Sequence, residues 1–139
     1  MLEKGEILSH YEKLEVVEAL QAIQKRVSWK SGKGQVHLEK RQRMGHLLQT
    51  ASISDYEQVI LDIVRDGNNV VYLYEFGDAY YYAVRGFSEA GEWLVVFGAG
   101  GVMETAFPPE DMDGYLERRG FVLLGHIEEI LTWTKEAKN

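Results

Sequence analysis

The chain has 139 residues, of which 45% are hydrophobic, and its formal net charge is −7. This length and apolar fraction predict a single domain over residues 1–139 with a core of its own. The absence of cysteine excludes disulfides, a thiolate nucleophile and cysteine-ligated zinc. Since no apolar run approaches the roughly 18 residues of a membrane helix and the N-terminus is too polar for a secretion signal, we expect a cytoplasmic protein with no membrane partner.

The first part of the chain has the pattern of a capped amphipathic helix. Ser9 and Glu12 have the spacing of a capping box, in which each side chain satisfies a free backbone N–H. Apolar residues then recur at helical intervals as far as Val27, so the helix should end near Ser28. This helix forms a predicted N-terminal helical extension, residues 1–31.

A glycine-rich link separates that helix from the next elements. Gly32-Lys33-Gly34 predicts a turn. Residues 35–38 then predict a short strand, and residues 39–51 predict a second helix. A third helix begins at another pair with capping-box spacing, Ser54 and Glu57.

The second half of the chain predicts an antiparallel sheet followed by short C-terminal elements. Strands are predicted at residues 70–76, 79–87, 92–98 and 102–107, a helix from Pro108 to Arg119, a strand at 121–124 and a helix at 126–137. The predicted fold class is α+β, with N-terminal helices packed on a four- to five-stranded antiparallel meander sheet and short C-terminal helices. Residues 35–119 form its predicted core unit, and residues 120–139 its C-terminal strand and helix.

The main functional signal is a basic segment, residues 25–43, in an acidic chain. It has a single acidic residue, Glu39, and a formal charge of +6, so the rest of the chain carries −13. Its cationic residues are Lys25, Arg26, Lys30, Lys33, Lys40, Arg41 and Arg43. With His37 inside the segment and His46 just after it, the segment suits a phosphate-bearing ligand, because fixed positive charge holds phosphate and imidazole moves protons near neutral pH.

Helical spacing places Glu39, Arg43, His46 and Thr50 on one polar face of the predicted second helix. Arg43 would be a neighbour of His46, able to fork onto a phosphate while the imidazole acts as general base or acid. The alternative is a solvated helix face beside a glycine turn. In the predicted strand before this helix, His37 would point away from its apolar neighbours, towards a cleft or simply towards solvent.

The predicted sheet contributes further polar and aromatic candidates. Thr105 and Glu104 would lie on opposite faces near the end of a strand, where the hydroxyl could bind a phosphate oxygen; ordinary strand propensity is the alternative. Arg85, a charge in mid-strand, would add to an anion site if its face is the concave one. Tyrosines at 72, 74, 80, 81 and 82 offer surfaces on which bases stack, or else fill the core. Alternation along the second strand predicts one face with Tyr80, Tyr82 and Val84 and the other with Tyr81, Ala83 and Arg85.

These pieces, in this order, resemble the barnase–EndoU–colicin–RelE-like ribonuclease superfamily, especially its phage- and plasmid-associated branches. The resemblance covers about residues 36–119. Its basic part is the stretch VHLEKRQRMGH at 36–46, and its more specific part is VMETAFPP at 102–109 followed by YLER at 115–118.

The resemblance implies metal-independent cleavage of RNA with no cofactor, in which the ribose 2′-OH attacks the adjacent phosphate. It implies that His46 is the general base or acid, that Arg43 or Arg41 stabilises the phosphate charge, that Thr105 orients the phosphate, and that His37 supplies a second proton-transfer group. The residues predicted to bind the substrate are Lys33, Lys40, Arg41 and Arg85.

Three hypotheses remain open from the sequence. The first is a toxin-like or phage-derived ribonuclease, with RNA as substrate and a cognate inhibitor protein as partner. The second is a non-catalytic module on the same scaffold that binds nucleic acid, an acidic protein or, as a homodimer, a second copy of the chain. It is favoured by the helix histidines, since family members often carry two about a turn apart and this chain has one. The third is a small-ligand enzyme that uses the tyrosine-lined sheet.

Overall fold

The computed structural model describes residues 8–138, with the backbone alone for residues 135–138; the ends of the predicted extension and domain, residues 1–7 and Asn139, lie outside it. Within this range the helices are α1 His10–Lys25, α2 Lys33–Arg43, α3 Ile53–Arg65, α4 Met112–Arg119 and α5 Ile127–Lys138. The strands are β1 Val70–Phe76, β2 Ala79–Ser88, β3 Gly91–Phe97, β4 Met103–Phe107 and β5 Val122–His126. None of the helices in the described range is long and apolar enough to cross a bilayer.

The five strands form one antiparallel sheet in the order β4-β3-β2-β1-β5. The first four strands are a meander, and β5 pairs with β1 on the far side, so the predicted α+β fold is confirmed. On one face Tyr82 and Val84 join the main core with residues of α1, α3 and α5. On the other face Ala83 packs in a smaller cluster with Met112 and Leu116 of α4. The predicted alternation along β2 is therefore also confirmed.

The two N-terminal capping predictions have different outcomes. At α1 the Ser9–Glu12 capping box is present, with Glu12 N donating to Ser9 Oγ at 3.2 Å. At α3 the predicted start is wrong, because the capping box is Ser52–Asp55, with Asp55 N donating to Ser52 Oγ at 3.1 Å. Glu57 instead accepts a hydrogen bond from the Trp29 indole, so this carboxylate links two elements rather than capping one.

The predicted strand at 35–38 and helix at 39–51 are wrong, because residues 33–43 form the single helix α2. Close packing near its start requires a glycine, since the ring of Trp29, five residues earlier, lies so close to Gly34 that a Cβ there would be 2.9 Å from the ring. Its end is a Schellman motif around Gly45 (φ 75°): Gly45 N donates to Gln42 O and His46 N to Arg41 O. His46 therefore lies beyond the helix.

The N-terminal end of the basic segment is attached to the start of the edge strand β4. Ser28 forms a parallel bridge with Val102, and its carbonyl accepts a 2.8 Å hydrogen bond from Met103 N. The 3₁₀ turn Ala99–Gly101, which precedes β4, packs closely on α1. At Gly101 (φ 80°) a Cβ would lie 2.9 Å from Ala22 Cβ and 3.0 Å from the Ala19 carbonyl oxygen. A glycine is needed there for both backbone conformation and space.

Comparison of Gly101→Ala with Gly100→Ala tests this close approach. Both glycines have positive φ, but nothing lies within 4 Å of a Cβ at Gly100. We expect Gly100→Ala to lower the free energy of unfolding by about 1 kcal/mol, the penalty of left-handed backbone. Gly101→Ala should lower it by a further 1–3 kcal/mol or so, because α1 must also move. Equal losses in urea denaturation of the two variants would contradict the described packing.

Candidate functional site

The exposed face of α2 carries three cations within about three turns of helix. Lys33, Val36, Lys40 and Arg43 recur at i, i+3, i+7 and i+10, and all four are exposed; we call this set the basic face. In the part of the chain that the structure describes, none of its three cations has a carboxylate partner. By contrast Lys30, just before α2, is paired with Glu104 of β4 at 3.3 Å. The basic face is therefore free to hold an external anion.

Arg41 lies on the opposite, inward face of α2 and is only 3% exposed. Its guanidinium carbon is 5.6 Å from the centre of the Phe107 ring, at the end of β4. Its Nη1 is 3.2 Å from His46 Nδ1, while its Nε is buried without a hydrogen-bond partner among the described residues. Burial lowers the pKa of Arg41. This arginine attaches the C-terminal half of α2 to β4. Its Nε–H is a buried donor that no described residue accepts.

His46 is the direct neighbour of Arg41 rather than of Arg43. The predicted Arg43–His46 pair is wrong, because it required a helix that continues past residue 43. A guanidinium only donates hydrogen bonds, so His46 Nδ1 accepts and the proton of the neutral ring is on Nε2. Burial, and then the charge of Arg41, lower the pKa of His46, which favours that neutral form. The lone pair that a general base would use is occupied by Arg41.

His37 lies in α2, one turn before Arg41, and packs on a different aromatic ring. Its imidazole stacks on Trp29 with ring centres 5.5 Å apart, and its Nδ1 is buried with no hydrogen-bond partner in the described range. Burial, followed by the charges of Arg41, Lys40 and Lys33, lowers the pKa of His37. It is therefore a neutral imidazole beside the basic face, rather than the strand residue that the sequence predicted.

Arg85 and Thr105 lie on the second face of the sheet, the one that α4 covers in part. Arg85 Nε is 3.0 Å from a Glu92 oxygen and its Nη1 is 2.8 Å from an Asp113 oxygen. Although burial opposes it, these hydrogen bonds raise the pKa of Arg85. The positive charge of Arg85 is thus already compensated. Thr105 lines a cavity of about 290 Å³ between the sheet and α4.

The structure brings some of the predicted site residues together and separates others. Arg41 contacts His46, and His37 lies within electrostatic range of Lys33 and Lys40. Arg43 shares the basic face with those two lysines. Among residues 8–134, no hydrogen bond or ion pair joins Thr105 or Arg85 to either histidine.

Two features of the cavity beside Thr105 were missed in the sequence. The β3–β4 register shifts between Val96 and Phe97, so that Glu104 is an extra residue in β4. Glu104 and Thr105 both line this cavity, and Glu104 also lines a larger cavity beside Glu12 and Glu15. The second feature is Arg119, which also lines the cavity. Its position in the stretch YLERR could have indicated it as a candidate site residue.

No family model, no curated protein sequence and no solved structure matches this chain. Within the described residues, no group of three or more histidine, aspartate or glutamate side chains is arranged to hold a metal ion. The chemistry of the site is therefore argued from its own cations, imidazoles and aromatic rings.

Proposed function

We propose that the protein is a non-catalytic module that binds single-stranded RNA through the basic face of α2. The observation that carries this proposal is the row Lys33, Lys40 and Arg43, three exposed cations without carboxylate partners in the described range. From Lys33 to Arg43 the helix rises by about 15 Å, which allows contact with more than one phosphate of a strand. Neutralising phosphates releases counterions, so such binding weakens steeply with salt.

The acidity of the rest of the protein directs RNA to this face. Outside the basic segment the chain carries −13, and one large cavity is lined by Glu12, Glu15, Glu75 and Asp78 together with the pair Lys30 and Glu104. Phosphate is repelled there and attracted to α2, which orients the encounter. The two compensated cations, Lys30 and Arg85, add little to the attraction because their carboxylate partners are already in place.

The triple variant Lys33→Gln/Lys40→Gln/Arg43→Gln tests the basic face. Binding of a short fluorescein-labelled single-stranded RNA would be measured by anisotropy at several KCl concentrations. Each lost phosphate contact lowers the salt dependence of the logarithm of the affinity by about 0.7, so the slope should fall by about 2.

The control is the variant Lys13→Gln/Arg65→Gln/Arg118→Gln, which changes the net charge equally at α1, α3 and α4. We expect it to retain most of the wild-type slope. Equal losses in the two triple variants, or no binding of RNA by the wild type at low salt, would contradict the proposal.

Cleavage of the bound RNA is the second candidate function, and one observation favours it. The buried Nε of Arg41 lacks a partner in the described range, and Nη1 of the same guanidinium is hydrogen-bonded to His46. A phosphate that drew Arg41 away would free His46 Nδ1 to accept the 2′-OH proton. The 2′ oxygen would then bond to phosphorus, the bond from phosphorus to the 5′ oxygen would break, and the leaving oxygen would take a proton from water.

Incubation of RNA with the purified protein in EDTA tests this second candidate. It predicts products with 2′,3′-cyclic phosphate ends, and a rate about a hundredfold lower for His46→Ala. The matched control is His126→Ala, which removes an exposed histidine paired with Glu129 at the end of β5 and should leave the rate unchanged. RNA binding without cleavage would leave the binding function standing and reject this candidate.

A further inference from the structure

The second face of the sheet holds an aromatic cavity that the proposed RNA contact does not use. It has a volume of about 290 Å³ and lies between β1, β2, β4 and the end of α4. Its aromatic walls come from Tyr74, Phe76, Tyr81, Tyr115 and Phe121. Small-molecule sites start at about 300 Å³, so the cavity suits one small ligand.

Three of the rings form an aromatic cluster. Tyr74 and Phe121 are nearly parallel, at 13°, with centres 4.6 Å apart. Phe76 also lies beside Tyr74, with centres 6.2 Å apart and planes at 23°. Phe76 is 66% exposed, so an apolar ring surface of this aromatic cluster is open to solvent. A planar ring can stack on this surface.

The polar side chains that line the cavity are those of Arg119, Glu104, Thr105 and three tyrosines. The Arg119 guanidinium lies 5.2 Å from the centre of the Tyr115 ring, and within residues 8–134 it forms no ion pair with a carboxylate. Its neighbour Arg118, in contrast, lies 3.7 Å from Asp111. Thr105 and Glu104 supply a hydroxyl and a carboxylate at the wall formed by β4. The cavity therefore combines stacking surface, an anion-binding group and groups that can bond to a base edge.

The cavity is also continuous with the basic segment. Glu104 lines the cavity and is paired with Lys30, which precedes α2. On the other side, Phe107 contacts both Arg41 of α2 and Tyr115 of the cavity wall. β4 therefore contacts both α2 and the wall of the cavity.

We infer that this cavity binds a single unpaired nucleotide, with the base stacked on the ring at Phe76 and the phosphate held by Arg119. If the nucleotide belongs to an RNA strand, this inference rests on the proposed function. If the nucleotide is free in solution, the inference does not depend on RNA binding. Stacking of a base on an aromatic side chain is sequence-tolerant because every base has a π face.

Calorimetric titration with guanosine monophosphate, whose purine has a large stacking face, tests the inference. We expect ribose 5-phosphate, which lacks the base, to bind at least tenfold more weakly. Phe76→Ala and Arg119→Gln should each weaken guanosine monophosphate binding at least fivefold. Both side chains lie at the surface, and circular dichroism would verify that the variants remain folded.

The matched controls are Phe87→Ala, which removes an aromatic ring that is 72% exposed outside the cavity, and Arg118→Gln, which changes the neighbouring arginine. We expect neither to alter nucleotide binding. Ribose 5-phosphate binding as tightly as the nucleotide, or controls that weaken binding as much as the cavity variants, would overturn the inference.

A parallel titration with the short single-stranded RNA separates this inference from the proposed function. Lys33→Gln/Lys40→Gln/Arg43→Gln should lose salt-dependent RNA binding and keep binding of guanosine monophosphate. If the wild type binds RNA but not the nucleotide, the inference of a nucleotide site in the cavity is contradicted, and the proposal of RNA binding at the basic face is retained. Nucleotide binding without RNA binding would support the cavity as a site for free nucleotide and overturn the proposed function.

Discussion

The attachment of the basic segment to the edge strand β4 is the constraint on which the rest of this structure depends. At one end the Ser28 carbonyl accepts a hydrogen bond from Met103, and at the other Arg41 lies over the ring of Phe107. Between these points Trp29 packs on Gly34. Together these contacts fix which side of α2 faces the protein. The side of α2 that faces outward then carries Lys33, Lys40 and Arg43. The contacts on the inward side set this orientation, rather than any contact of the three cations themselves.

This attachment divides the positive charge of the segment into two parts with different roles. Arg41, which the sequence could not distinguish from its neighbours, is buried and hydrogen-bonded to His46; burial, and then the charge of Arg41, lower the pKa of this imidazole. The exposed cations keep their charge for a ligand. Edge strand β4 serves both surfaces, since Phe107 touches α2 and Thr105 lines the aromatic cavity. One strand thereby contacts both α2 and the aromatic cavity.

The sheet was predictable from the sequence, whereas the placement of the site was not. Alternation of apolar and polar residues over 70–107 is a local signal, and it predicted the meander and the two faces of β2 correctly. Helix α2 was placed wrongly because Gly32-Lys33-Gly34 predicted a turn, whereas Gly34 lies in the helix and packs on Trp29; Gly45 was an available signal for the helix end. The extra residue Glu104 in β4 and the compensation of Arg85 by Asp113 of α4 both depend on pairing across elements. No pattern within one element contains that information.

The central claim is that RNA lies along α2 and β4, with the basic face as its main contact. Chemical-shift mapping of ¹⁵N-labelled protein with a short single-stranded RNA at low salt tests it most directly. The account predicts that the largest changes fall in residues 33–43 and 103–107, with further changes at Phe76 and Arg119. Changes centred on the acidic cavity around Glu12 and Glu15, or no changes at any residue, would contradict it.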